Sequence, residues 1–315
     1  MTRIEWTEVT WNPVTGCDRV SEGCDNCYAL ALARRLKAMG HPRYQRDGGR
    51  RSGPGFGVTL HHDQLHQPFA WRKPRLVFVN SMSDLFHADV PEGFISHLWG
   101  VMAATPRHTY QILTKRPGRM SSIVPRLEGE IPSWLNWHRF RGRCSTVGSP
   151  WPLPNVWLGT SVENERWAHS RVPELLETPA ALRFVSCEPL LGPMELRMWL
   201  PGYDDCCDEC YDAGCEGDGL SCSCGCHHAL GWVIVGGESG PGARPLDLDW
   251  VRDLIRQCHD AAVPVPVFVK QLGSAWARRA GARHPKGGDP NEWPEDLRVR
   301  EWPRARVLSR PPVTA

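Results

Sequence analysis

The chain has 315 residues, of which 41% are hydrophobic and 23% charged, and its formal net charge is +2. This is the composition of a globular protein able to bury one large or two small cores, and so small a net charge does not by itself mark a nucleic-acid binder. No apolar run approaches the ~20 residues of a membrane span and the N-terminal MTRIEWTEVTW has no apolar signal-peptide core, so a cytoplasmic protein without a membrane partner is expected.

In chain order the sequence alternates strand and helix patterns. A short first strand is expected near EVTWNP, leading into a cysteine-bearing loop. YALALARRLKAM follows as a helix, with Ala29, Leu32, Leu36 and Met39 at core spacing and Gly40 and Pro42 as its stop. Residues 41–75 carry Arg43, Arg46, Arg50, Arg51, Arg72, Lys73 and Arg75 against Asp47 and Asp63. Such a basic loop either faces phosphate or is simply solvated. RLVFVNSMSD (75–84) reads as a buried strand, EGFISHLWGVMAAT as a helix and TYQILTKRP (109–117) as the next strand. GRMSSIVPRLEG is helical, although Pro125 weakens the pattern. NVWLGTSVEN (155–164) is a strand and ERWAHSRVPELLET a helix; LRFVSCEPLLG (182–192), GWVIVGGESG (231–240) and VPVFVKQLG (265–273) are three further strands. LDWVRDLIRQCHDA is helical, with Trp250, Val251, Leu254, Ile255 and Cys258 on one face and Asp247 or Asp249 as its cap.

Near-continuous apolar strands separated by helices imply a parallel sheet covered by helices. The Gly-x-Gly-x-x-Gly turn of a doubly wound nucleotide-binding sheet is absent, so the expected fold is a full or partial (β/α) barrel of parallel strands. Residues 1–200 and 231–273 form the barrel. Residues 201–230 form a Cys/His-rich insert, and 274–315 a Pro-, Arg- and Trp-rich extension packed on the barrel. In such folds function collects at the carboxyl ends of strands. Here the strands end in NSMSD, LTKRP, GTSVEN, SCEP, GGESG and KQLG, which together outline a shared rim.

Ten of the thirteen cysteines fall in two clusters. Without an export signal, clustered thiols read as metal ligands rather than a disulfide scaffold; Cys144, Cys187 and Cys258 read as buried thiols. Cys17, Cys24 and Cys27 lie in NPVTGCDRVSEGCDNCYA. Three thiolates at this spacing can hold three irons of a [4Fe–4S] cluster and leave the fourth open, as S-adenosylmethionine (SAM) radical chemistry requires. A zinc knuckle completed by Asp18, Asp25 or a distant Cys is the alternative. In the insert, Cys206, Cys207, Cys210, Cys215, Cys222, Cys224, Cys226, His227 and His228 suit one or two zinc ions, with an auxiliary iron–sulfur cluster second and a metal-free loop third.

TWNPVTGC…GCDNCYA, FVNSMSDLFH, LTKRP, LGTSVEN, EPLLG, VGGESGPGARP and FVKQLG together span residues 6–273. They resemble, in order, the motifs of an uncharacterised, often bacteriophage-borne family whose three-cysteine motif is similar to that of radical-SAM enzymes. The resemblance implies a radical-SAM-like barrel and a [4Fe–4S] cluster, and no known reaction. The chain departs from the commonest radical-SAM pattern in having six residues between its first two cysteines. Asn26 stands where an aromatic is usual, and Tyr28 follows the last cysteine as the candidate against adenine. On this reading Asn80, Ser81, Ser83 and Asp84 hold the SAM amino group, and Ser161, Glu163 and Asn164 its ribose. Lys115, Arg116 and Lys270 suit a carboxylate or phosphate of the substrate, or else pair with Glu188 or Glu238. Glu238 lies on the wrong strand for the SAM-binding Gly-Gly-Glu role. Trp6 and Trp11 flank the cysteine loop and are expected to shield it.

The expected function is therefore a radical-SAM-like enzyme that uses a [4Fe–4S] cluster, SAM and a flavodoxin- or ferredoxin-type electron donor. It forms a 5′-deoxyadenosyl radical and acts on an unidentified substrate, with nucleic acid or a nucleotide the best candidate. The competing reading is a non-enzymatic zinc protein that binds nucleic acid.

Overall fold

The computed structural model describes residues 4–143, 148, 150–202 and 229–303. Seven strands form one sheet in the order β1 (Val9–Trp11), β4 (Leu76–Val79), β5 (Thr109–Thr114), β6 (Val156–Ser161), β7 (Leu182–Cys187), β8 (Trp232–Gly236), β9 (Val267–Gln271). Every neighbouring pair is parallel. The sheet curls into a half-barrel whose edges, β1 and β9, do not pair with each other. Outside β9, Val269 donates to Val299 and Glu301 to Val267, so the chain near residue 300 covers that edge.

The alternation along each strand sets two cores. Outward residues such as Val77, Val79, Tyr110, Ile112, Val185 and Val235 pack under the helices. The inward set, Trp6, Phe78, Trp157, Phe184, Trp232, Ile234 and Phe268, forms a separate aromatic floor inside the half-barrel. Trp6 meets Phe78 edge-on at 4.6 Å and Trp232 at 6.1 Å, arrangements that add to simple burial. Both faces are apolar because both are covered, which is why the strands read as unbroken apolar runs.

The helices are α1 (Tyr28–Ala38), α2 (Gln67–Ala70), α3 (Glu92–Ala104), α4 (Pro117–Ile123), α5 (Ile131–Phe140), α6 (Glu165–Leu176), α7 (Leu248–His259) and α8 (Ser274–Ala280). Helix α1 ends at Gly40 in the left-handed region as expected, but its buried face is Ala29, Leu30 and Ala33, while Met39 is exposed. The small face lets it lie close against Tyr44, Phe56 and Met82. Pro125 does end α4, which passes through a 3-10 segment, Val124–Glu130, into α5. In α7, Asp247 is the cap, accepting from the Asp249 N–H at 2.9 Å. Its inner face carries Gln257 as well as Val251, Leu254 and Cys258.

Between α2, α3 and α5 the rings of His66, His97 and His138 lie 5.5–5.8 Å apart. His97 stacks on Trp134 at 4.1 Å. His138 is buried, and neither of its ring nitrogens has a hydrogen-bond partner. Among the described residues, no helix is long and apolar enough to cross a membrane.

Candidate functional site

The carboxyl ends of the strands surround a cavity of about 1060 Å³ above the aromatic floor. Cys17, Cys24 and Cys27 line it, facing residues contributed by β4 to β9. The antiparallel pair of β2 (Val14–Thr15) and β3 (Thr59–Leu60) brackets in sequence the cysteine loop and α1. Gly16 is held by its N–H to Met82 O at 3.0 Å, and Cys17 by its N–H to Phe56 O at 3.3 Å. Gly16 has φ of 91°, and a Cβ there would lie 2.4 Å from Gly57 O, so only glycine fits. Cys24 closes a single 3-10 turn, and Cys27 is the N-cap residue of α1.

Burial pushes the Cys17 thiol up to about 12, with Asp84 adding to the rise and Arg116 opposing it. Burial also raises Cys27, against the Leu30 and Ala29 N–H groups at the start of α1, which favour its thiolate. Burial thus favours the protonated form of both thiols. Among the described residues, no three His, Cys, Asp or Glu side chains form a site for a single metal ion. Asp18 accepts from Ser52 Oγ at 2.6 Å and lies 3.3 Å from His87 Nε2; Asp25 lies 3.8 Å from Arg244. Asp18 is thus engaged by a hydrogen bond and an imidazole, whereas Asp25 has only this long ion pair.

The cysteine loop is tied to the strand ends by buried acids. Glu163, just beyond β6, is fully buried and accepts from Ser21 Oγ at 2.6 Å, from Arg171 Nη1 at 2.9 Å and from Lys115 Nζ. Gly23 packs so tightly on it that a Cβ would come within 2.3 Å of Glu163 Oε1. Burial lowers the Arg171 guanidinium, and Glu163 works against that fall. Glu238, beyond β8, accepts from Asn26 Nδ2 at 2.8 Å and from Arg244 Nη2 at 2.6 Å. Burial raises its carboxyl, but Arg244 and Asn26 together hold it below its ordinary value. Glu22 accepts from Asn164 Nδ2 at 2.6 Å and Trp167 Nε1 at 2.8 Å. Arg116 donates to Asp84 Oδ2 at 2.8 Å, Asp18 O at 3.2 Å and Cys17 Sγ at 3.4 Å.

The sequence-derived candidates thus fall into two groups. Tyr28, Asn80, Ser81, Ser83, Asp84, Lys115, Arg116, Ser161, Glu188, Glu238 and Lys270 line the cavity with the three thiols. Glu163 and Asn164 lie behind it, against the cysteine loop. Tyr28 donates its hydroxyl to Ser81 O at 2.5 Å. Asn80 is the one described non-glycine residue at positive φ, 61°. Its Oδ1 accepts from the Val14 N–H at 3.3 Å, while Nδ2 is buried without a partner. Lys270 pairs with Glu188 at 2.7 Å. Trp6 belongs to the floor and reaches the cavity, whereas Trp11 packs in the outer core and donates to Gln64 O at 2.8 Å, away from the cysteine loop.

Arg50, Arg51, Arg72 and Lys73 of the basic stretch are exposed, while Arg43 pairs with Asp63 at 3.0 Å. Cys206, Cys207, Cys210, Cys215, Cys222, Cys224, Cys226, His227 and His228 lie outside the described residues. Ser21, Glu22, Arg171 and Arg244 were not singled out from the sequence, and Asn26 was noted only as a departure from the radical-SAM pattern. Ser21, Glu22 and Asn26 meet partners more than 140 residues away, whereas Arg171 and Arg244 pair with Glu163 and Glu238 within eight residues.

Fold and site define a parallel α/β half-barrel with a thiol-lined cavity at the carboxyl ends of its strands. The chain belongs to the family described as "Protein of unknown function (DUF5131)", whose pattern matches residues 1–298. No curated protein and no solved structure matches it.

Proposed function

We propose that this chain is a radical-SAM-type iron–sulfur enzyme that modifies or repairs an unidentified substrate, with nucleic acid or a nucleotide as the leading class. One observation carries the reading: three thiols line the mouth of a parallel half-barrel, on a cavity walled by polar strand ends. The donor set fits a three-corner cluster. Cys17, Cys24 and Cys27 line one cavity, although among the described residues no group of three His, Cys, Asp or Glu side chains is placed to hold a metal ion.

With a [4Fe–4S] cluster and SAM bound, such a site supplies one-electron cleavage of a sulfonium, fed by a flavodoxin- or ferredoxin-type donor. The chain's own residues do the rest. Cys17, Cys24 and Cys27 hold the cluster. Asn80, Ser81, Ser83 and Ser161 line the wall beside them, where SAM is to be oriented. The aromatic floor closes the half-barrel beneath and excludes water. Glu188 and Lys270 face the cavity from β7 and β9 and suit the substrate's polar groups. The exposed arginines of residues 41–75 support an anionic substrate.

The test is anaerobic reconstitution with iron and sulfide, then dithionite and SAM. Expected are iron–sulfur absorbance, slow release of 5′-deoxyadenosine, and loss of iron in Cys17→Ala, Cys24→Ala and Cys27→Ala. Colourless protein carrying stoichiometric zinc, with no 5′-deoxyadenosine, would overturn the proposal in favour of a structural zinc protein.

A further inference from the structure

Arg116 is the one side chain outside the cysteine loop recorded as donating to a candidate ligand sulfur among the described residues. Its guanidinium is fixed from several sides. Nη1 is shared between Asp84 Oδ2 at 2.8 Å and Cys17 Sγ at 3.4 Å, and Nη2 reaches Asp18 O at 3.2 Å. The backbone is fixed too: the Arg116 N–H donates to Thr114 Oγ1 at 2.9 Å, and Thr114 Oγ1 donates to Asp84 Oδ1 at 2.7 Å. Asp84 accepts further N–H groups from Phe86 at 3.0 Å and Lys115 at 3.1 Å. The ion pair is therefore oriented before any ligand arrives, and one of its N–H groups points at sulfur.

We infer that Arg116 sets the reduction potential of the centre held by Cys17. A fixed positive charge and an N–H···S hydrogen bond at a ligand sulfur stabilise the more negative, reduced state of an iron–sulfur centre, and so raise its potential. Burial magnifies the effect, since the side chain is only 15% exposed and little water screens it. The Asp84 charge works in the opposite sense and acts on Cys17 more strongly than the charge of Arg116, so removing the guanidinium alone leaves that carboxylate unopposed and lowers the potential. Arg116 is a positioning and tuning residue, and the inference rests on the cluster reading proposed above.

The experiment compares reconstituted wild type with Arg116→Gln and Arg116→Lys. Iron and sulfide are assayed, and the midpoint potential is read by electron paramagnetic resonance during redox titration. In Arg116→Gln, with iron retained, the reduction equilibrium constant is expected to fall about tenfold, or ~59 mV for a one-electron couple. Arg116→Lys keeps the charge and is expected to stay near wild type. Equal potentials in all three proteins at full iron overturn this inference and leave the cluster reading intact. An equal fall in both variants, or loss of iron from Arg116→Gln, overturns it in favour of a purely structural role for the guanidinium fork. Wild type that takes up no iron overturns both readings.

Discussion

Glu163→Ala is the perturbation that most directly probes how the cysteine loop is held. The carboxylate is fully buried and bonded to Ser21, Lys115 and Arg171. Removing it leaves Arg171, whose side chain is 3% exposed, as a buried charge without its counterion. Breaking a buried pair from one side costs about 3–5 kcal/mol. At about 2 °C per kcal/mol for a chain of this size, Tm falls by about 6–10 °C. Glu163→Gln keeps the volume and removes only the charge, so it shows roughly half the effect. Because the pair is buried, the loss is insensitive to added salt. Calorimetry at low and high salt measures the shift, and limited proteolysis shows whether cleavage appears at 16–27 before the rest of the chain. A Tm within about 2 °C of wild type in both variants would refute the idea that this carboxylate anchors the loop.

Two further outcomes follow from local geometry. Burial, then the neighbouring imidazoles, push His138 down to about 3 and His97 to about 4. The unfolded chain takes up these protons near ~6.5 while the native state does not. Their stabilising share is therefore complete above ~6.5 and is lost as pH falls towards 3–4, by up to about 1.4 kcal/mol per pH unit and residue. His138→Phe should remove one residue's share of that slope in urea titrations between pH 7 and 4; an unchanged slope counts against it. Gly16→Ala places a methyl 2.4 Å from Gly57 O at a φ of 91°. Strain alone costs about 1–3 kcal/mol, so urea unfolding should show at least that loss, and native-like stability would mean the turn relaxes freely.

The half-barrel was legible because its strands are buried on both faces, which leaves a strong apolar signal. Their polar terminators were equally plain, since every one lies beside the same cavity. The face of α1 was read in part: Ala29 is buried and Leu32 and Leu36 pack, half-buried, against the same cluster, whereas Met39 is exposed and Leu30 and Ala33, buried against Tyr44 and Phe56, were not foreseen. Helix α5 was not assigned from the sequence; Pro132 lies in its first turn, where its fixed φ is favourable. Glu163 looked like a ligand-binding residue at a strand end. Its role behind the loop depends on Ser21, 142 residues away, and no local pattern records that contact.

The tethers of the cysteine loop come from the ends of β5, β6 and β8, through Arg116, Glu163 and Glu238. The Glu188–Lys270 pair, at the end of β7 and on β9, faces the same cavity and, among the described residues, makes no hydrogen bond to that loop. The loop is thus tethered from one set of strands while this pair spans two others, so substitutions at 188 and 270 are expected to leave the thiol cradle intact.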